Sequence, residues 1–197
     1  MQKSLSIKNI TRIAILGTLG AFLMLIDFPI FIAPSFYKLD ISDLPCLIGA
    51  FAMGPIPAAF IQIVKILLKL LLKPTSTAFI GEIAAFINSG IFCISAAIVY
   101  NKNRTKLGAK KAMFVASILA VIIGSLANYY FIIPAYCELY GMPLETIIGL
   151  GNAIFPIINS KFSFVLCCVV PFNIIKVCIV DILTMLLYKH ISPLLRD

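Results

Sequence analysis

Two polar side chains that could recognise a ligand, Asn173 and Lys176, stand within a long apolar run that covers residues 162–188. A lysine near the middle of a membrane-spanning run costs about 2.5–3.5 kcal/mol on insertion scales, so such residues usually have a function. The two residues are three positions apart, which places both side chains on one face of a helix. This spacing predicts that they point into a ligand pocket.

Glu82 and Asn128 are further candidates for ligand binding. An asparagine side chain offers a donor and an acceptor, which suits the amide or imide edge of a planar ring. Glu82 follows Gly81 at the start of a predicted helix, where its carboxylate would either be stabilised by the helix dipole or accept hydrogen bonds from ligand hydroxyls. With Asn173 and Lys176, these residues predict a pocket that opens to the outside and binds a neutral or weakly polar molecule carrying hydroxyl groups.

A second polar stripe follows the third predicted helix at spacings of three and four: Gln62, Lys65, Lys69 and Lys73. Lysines on the outer side oppose the usual charge bias of membrane proteins, which predicts anionic partners for them. The candidate partners are Asp40, Asp43 and Glu82. Alternatively the lysines extend to the membrane surface, which fits Lys69 and Lys73 better than Lys65. Asp181 lies on a different helix face from Lys176 and is predicted to pair with a basic residue.

The composition of the chain indicates an integral membrane protein. Of its 197 residues, 61% are hydrophobic and only 12% are charged, and the mean hydropathy is +1.08. The first apolar segment resembles a signal peptide, but more apolar segments follow and no clear cleavage site precedes a polar domain, so it is predicted to be a membrane helix. Residues 1–197 are predicted to form one transmembrane substrate-binding domain.

Enzyme chemistry is not indicated by the sequence. The only histidine, His190, cannot form a histidine-based metal cluster, and the six cysteines show no C-x-x-C spacing. A Ser-His-Asp triad is disfavoured for the same reason. The chain also has no G-x-x-x-x-G-K-[ST] motif, so it cannot use ATP through a phosphate loop.

Apolar segments long enough to cross a bilayer predict an all-α fold with six transmembrane helices. Their predicted bounds are 11–27, 44–53, 55–73, 81–100, 109–133 and 163–188. The second helix is too short to span and is separated from the third at Gly54-Pro55, since proline favours a helix start. The basic loop 101–111 is predicted to be cytoplasmic, which places both termini there. Residues 141–161 predict an outer loop with a short helix that covers the pocket.

Several motifs occur in an order that resembles one membrane-protein family. They are the stretches 36–45 (FYKLDISDLP) and 49–55 (GAFAMGP), Gly81-Glu82, residues 128–130 (NYY) with 134–136 (PAY), and residues 171–176 (PFNIIK). Together they cover nearly the whole chain and resemble the riboflavin-binding S components of energy-coupling factor (ECF) transporters.

The resemblance implies a six-helix subunit in a prokaryotic cell membrane that binds riboflavin from outside. It implies a transmembrane coupling subunit and two ATPase subunits as partners, and riboflavin as transported ligand rather than cofactor. Asn128, Asn173 and Lys176 would contact the pyrimidine edge of the flavin, and Glu82 would face the ribityl chain. The loop 32–37, which contains Phe36 and Tyr37, would close the pocket.

The resemblance also implies a docking motif for the coupling subunit on the first helix. The family usually carries Ala-x-x-x-Ala there, whereas this chain has the pairs Ala14/Thr18 and Gly17/Ala21. Small residues at this spacing let helices approach closely, so packing inside the protein is an alternative role for them.

Three other functions remain open at this stage. The chain could bind another vitamin, or act as a stand-alone secondary transporter with Lys65 and Asp181 as ion-coupling residues. An intramembrane enzyme is the third alternative, although no nucleophile and base occur together. A binder that borrows separate ATPases is consistent with the missing phosphate loop.

Overall fold

The structure of the chain is a computed structural model that describes residues 6–139 and 141–191. The side chain of His190 lies outside this description, as do the residues beyond 191. The helices are α1 Ile7–Leu25, α2 Asp43–Met53, α3 Pro55–Leu72, α4 Ile80–Lys102, α5 Lys106–Ala127, α6 Ile133–Leu139, α7 Leu144–Asn152, α8 Lys161–Phe164 and α9 Val170–Ile191. One π-helical turn, Asn128–Ile132, joins α5 to α6, and another, Val165–Val169, joins α8 to α9.

The described segments confirm an all-α membrane protein. Five of them are long and apolar enough to cross a bilayer: Ile7–Leu25, Pro55–Leu72, Ile80–Lys102, Lys106–Leu139 and Lys161–Leu187. The 11 residues of α2 extend only about 16 Å, which is too short for a hydrocarbon core of about 30 Å. The predicted fifth helix, 109–133, was too short at both ends. The helix α5 begins at Lys106, and the chain continues from α5 through the π turn into α6, which ends at Leu139.

The break between α2 and α3 lies at Gly54, as predicted. Its φ angle of +97° is strained for residues with a side chain, which explains the glycine. Pro55 then occupies the first position of α3, where no backbone N–H is needed. The preceding helix is central to the bundle, since every residue from Asp43 to Phe51 is buried.

A loop of 17 residues, 26–42, connects α1 to α2 and crosses the outer end of the bundle. Its two short strands, β1 Phe28–Pro29 and β2 Lys38–Leu39, pair antiparallel with Phe28 opposite Leu39. The loop packs into an apolar cluster together with α6, α7 and both π turns. A second cluster fills the inner half between α2, α3, α4, α5 and α9.

The segment 141–161 contains the short helix that the sequence predicts. Ile147 of α7 is 1% exposed and packs into the outer cluster. The following turn is shaped by Asn152, whose Nδ2 donates to the carbonyl oxygens of Pro156 and Ile158, each at 3.1 Å. This segment therefore covers the outer end of the bundle beside the 26–42 loop.

Candidate functional site

A cavity of about 500 Å³ opens at the outer end of the bundle. Small-molecule sites typically measure about 300–1,000 Å³, so a ligand of vitamin size fits. The cavity is bounded by α3, α4, α9, the π turn after α5 and the 26–42 loop. All of the pocket residues predicted from the sequence line it: Phe36, Tyr37, Glu82, Asn128, Asn173 and Lys176.

Asparagine side chains from three different helical segments meet in the wall of this cavity. Asn88 of α4 donates from Nδ2 to Oδ1 of Asn173 on α9, at 2.8 Å. Asn128, at the start of the π turn, donates from Nδ2 to the carbonyl oxygen of Gly124 at 2.8 Å. Within the described residues, Asn173 Nδ2 and Asn88 Oδ1 are buried without a hydrogen-bond partner. Buried amide groups are normally paired, so a ligand would gain hydrogen bonds at these two atoms if neighbouring side chains moved to expose them.

The 26–42 loop contributes an aromatic wall. The Tyr37 hydroxyl donates to Asn128 Oδ1 at 2.7 Å, and its ring centroid lies 5.4 Å from that of Phe172. Phe36 lies 5.2 Å from the ring of Tyr136. Burial raises the pKa of Tyr37 well above its ordinary value, so the phenol stays neutral and acts as a donor. The predicted closing of the pocket by this loop thus has a structural basis in Tyr37.

Lys176 forms part of a buried charge cluster. Its Nζ lies 3.1 Å from Asp40 Oδ2 and 3.6 Å from Asp43 Oδ2. Asp43 also pairs with Lys65, whose Nζ lies 2.7 Å from Oδ1 and 3.1 Å from the Ser42 hydroxyl. Lys65 is 0% exposed, so its side chain does not extend to the membrane surface. It forms an ion pair inside the protein instead.

The rim of the cavity carries further ion pairs. Lys69 pairs with Glu82, which also accepts a hydrogen bond of 3.0 Å from the Thr75 hydroxyl. Lys73 and Lys38 both contact Asp27, at 3.2 and 3.3 Å.

Burial alone would raise the pKa of Asp27, but hydrogen bonds and charges from Lys73 and Lys38 outweigh it and lower the pKa. Anionic partners at Asp43 and Glu82 confirm the sequence prediction for Lys65 and Lys69, whereas Asp27 was not foreseen. Because every lysine that lines the cavity has a carboxylate partner, the site suits an uncharged ligand.

Asp181 lies apart from this cavity. Its Oδ2 accepts a hydrogen bond of 2.7 Å from the Ser117 hydroxyl, and no ion pair joins it to a basic residue in the described part of the chain. Among the described residues, the predicted basic partner is therefore not found, and a hydroxyl group of α5 contacts the carboxylate instead.

The structure separates the small-residue pairs of α1. Gly17 and Ala21 are buried inside the protein, and a Cβ at Gly17 would lie 2.6 Å from a methyl group of Val64 on α3. Gly17 therefore lets α1 approach α3, and because both residues are buried they do not form part of the surface of the described protein. Ala14 is exposed and Thr18 is half-buried, so only this pair remains at the surface for the predicted docking.

Sequence reasoning missed two contributors to the site, Asn88 and the loop residue Asp27. Gly81, Ala84 and Asn88 all line the cavity and follow one another at spacings of three and four, which is the signature of one helix face. Following this helix face from Gly81 through Ala84 to the next turn would therefore have identified Asn88.

The comparisons with known proteins agree on one family. A family model for the substrate-specific component of ECF transporters matches residues 8–188. The riboflavin transporter RibU of Staphylococcus aureus (strain TCH60) is 30% identical over 189 residues, covering 96% of this chain and 93% of the relative. The riboflavin transporter FmnP of Bacillus subtilis (strain 168) is 24% identical over 190 residues, covering 96% and 94%. A solved S component of a bacterial ECF transporter has a TM-score of 0.73 and 28% identity, with 96% of this chain and 98% of that chain covered.

Proposed function

Because this chain belongs to the family of substrate-specific components of ECF transporters, we propose that it binds riboflavin from outside the cell. It is a multi-pass protein of the bacterial cell membrane. In the proposed cycle it passes the vitamin to a transmembrane coupling subunit that works with two ATPase subunits. The observation that carries the choice of ligand is the presence of three asparagines in the wall of an aromatic cavity whose lysines all have carboxylate partners.

The hydrogen-bonding groups suit one edge of the flavin ring. That edge is a pyrimidine ring in which carbonyl acceptors flank an N–H donor. Asn173 offers an unpaired donor, Nδ2, and Asn128 Oδ1 keeps one lone pair after accepting from Tyr37. The ammonium of Lys176 lies one helical turn beyond Asn173 and is held by Asp40, which places positive charge near a carbonyl oxygen.

The remaining walls suit the other parts of riboflavin. Phe36, Tyr37 and Phe172 provide an aromatic surface for a planar ring. Glu82 and Thr77 on the rim supply acceptor and donor groups for the hydroxyls of a ribityl chain. A ligand with one apolar ring face and a hydroxylated tail would therefore contact complementary groups along the whole cavity.

A fluorescence titration of the purified protein with riboflavin tests this proposal. We expect quenching of flavin fluorescence at submicromolar ligand, because the ring would enter an aromatic pocket. Asn173→Ala should weaken binding about 5-fold, since it loses an uncharged hydrogen bond worth about 1 kcal/mol. Lys176→Ala should weaken binding about 10-fold or more, since a hydrogen bond from a charged group is worth about 1.5–3 kcal/mol.

Matched controls are Asn103→Ala and Lys111→Ala, which change exposed residues at the cytoplasmic end of the bundle. Absence of binding at micromolar riboflavin, or displacement of riboflavin by a different vitamin at equal concentration, would refute the assignment of ligand. Uptake into liposomes without any partner would instead favour the secondary-transport alternative.

Docking on the coupling subunit is proposed for the exposed Ala14/Thr18 side of α1. The Thr18 hydroxyl donates to the carbonyl oxygen of Ala14 at 2.8 Å, so it presents a methyl group rather than a free donor to the neighbouring helix. Ala14→Trp should reduce co-purification with the coupling subunit and leave riboflavin binding unchanged. A full complex with this variant would place the docking surface elsewhere.

A further inference from the structure

The contact between Asn88 and Asn173 restricts what Asn173 can offer to a ligand. An asparagine amide has one acceptor oxygen and one donor nitrogen, and rotation about the last side-chain bond exchanges them. Here Asn173 Oδ1 accepts from Asn88 Nδ2 at 2.8 Å, so its oxygen is engaged. Its nitrogen is buried and has no partner in the described part of the chain.

We propose that Asn88 is a positioning residue that fixes the Asn173 amide with its nitrogen toward the ligand. Asn173 then acts as a donor and selects a ring atom that is a carbonyl acceptor. Asn173 itself is 2% exposed, so an amino group placed against its nitrogen would bury two facing donors without a hydrogen bond. This inference rests on the proposed binding of riboflavin. It adds a residue, Asn88, that determines whether the ligand must present an acceptor or a donor to Asn173.

The position of Asn88 depends in turn on Gly124 of α5. A Cβ at Gly124 would lie 2.8 Å from Cγ of Asn88 and would collide with its oxygen. Glycine at this position therefore leaves the space that the Asn88 amide fills. The carbonyl oxygen of Gly124 also accepts from Asn128 Nδ2 at 2.8 Å, so Gly124 contacts one binding asparagine directly and positions the other through Asn88.

A ligand-selectivity experiment tests the role of Asn88. The probes are riboflavin and its two analogues in which the C2 or the C4 carbonyl group is replaced by a ring carbon that carries an amino group, and the readout is the ratio of dissociation constants. In the wild type, we expect the analogue whose altered atom faces Asn173 to bind at least about 10-fold more weakly than riboflavin. The other analogue serves as an internal comparison.

Substitution of Asn88 should change this ratio and not only the affinity. In Asn88→Asp the new carboxylate can only accept, so it would take a hydrogen bond from Asn173 Nδ2 and turn the Asn173 oxygen toward the ligand. The preference for the carbonyl form should then disappear or reverse. Asn88→Leu removes the constraint and should lower the ratio about 10-fold, and Gly124→Ala should act like Asn88→Leu by displacing the Asn88 amide.

The controls are Asn103→Asp and Asn103→Leu, which make the same changes at the exposed end of α4 and should keep the wild-type ratio. If the folded Asn88 and Gly124 variants lose affinity equally for riboflavin and both analogues, the ratio is unchanged and the positioning role is refuted. A wild type that binds all three ligands equally refutes it as well. A wild type that binds no riboflavin would overturn the proposed function and, with it, this inference.

Discussion

The buried charge cluster offers the sharpest test of how this fold is held together. Lys65 is fully buried and its only carboxylate partner in the described part of the chain is Asp43, at 2.7 Å. Lys176 lies 3.6 Å from Asp43 but 3.1 Å from Asp40. Replacing Asp43 by leucine therefore leaves Lys176 paired, while Lys65 keeps only the hydroxyl of Ser42.

The expected cost follows from these distances. With an effective dielectric constant of about 20, unit charges 2.7 Å apart attract by about 6 kcal/mol, which the cost of removing both charges from water partly offsets. Removing one partner of a buried pair typically costs about 3–5 kcal/mol, because the other charge stays buried. At about 2–4 °C per kcal/mol for a chain of this size, Asp43→Leu should lower the apparent melting temperature by about 10 °C.

Thermal unfolding in detergent, followed by intrinsic tyrosine fluorescence, is the assay, with Lys111→Met as the exposed control. The double variant Asp43→Leu with Lys65→Met removes both charges and should recover at least half of the lost stability, since replacing a whole buried pair by apolar groups is often neutral. If the double variant is as unstable as the sum of the two single variants, the stabilisation does not come from the ion pair and the reasoning fails.

Three further outcomes are expected. Tyr37→Phe removes the 2.7 Å hydrogen bond to Asn128 and should weaken riboflavin binding about 10-fold in the fluorescence titration; tighter binding would show that the phenol competes with the ligand. Because ion pairs with Lys38 and Lys73 lower the pKa of Asp27, they should stabilise the protein above about pH 4 and stop doing so as the pH falls through the lowered value. Wild type and Asp27→Asn should therefore differ in melting temperature at pH 6 and converge toward pH 3, and a constant difference would contradict this. Riboflavin 5′-phosphate should bind at least about 10-fold more weakly than riboflavin, because the cavity-lining lysines already have partners; equal affinities would show that a lysine is released.

The sequence pointed to residues that the structure brings to one cavity, because polar groups are rare in its apolar segments. Asn128, Asn173 and Lys176 stand out for the energetic cost of placing them in hydrocarbon, and the structure brings them to one cavity. Asn88 did not stand out, since α4 also carries Ser89 and other small polar residues. Its importance depends on a contact with Asn173, which is 85 positions away.

Two features of the fold could not be predicted by counting along the chain. The π turns Asn128–Ile132 and Val165–Val169 each rotate the residues that follow them, so a constant helical period gives the wrong face beyond them. The second feature is the end of the first helix. Asp27 was assigned to that helix, but the helix ends at Leu25 and Asp27 belongs to the outer loop, so its ion pair with Lys73 was missed.

Under the proposed function, the depth of the site gives a physical reason why a partner subunit would be needed to release the ligand inward. Asn173 is 12 residues after Lys161 and 14 residues before Leu187, the ends of the apolar segment, which corresponds to about 18 Å and about 21 Å along the helix and places it near the middle of that segment. Below it, Phe92, Val177 and Val180 belong to the buried inner cluster. Interiors packed in this way transmit strain and do not open by small shifts. A ligand held at Asn173 therefore has about half of the membrane still to cross, through a part of the protein that is closed. Inward release requires a rearrangement of the whole bundle, and the surface that a partner would use to drive it must lie on the lipid-exposed faces rather than at the ligand.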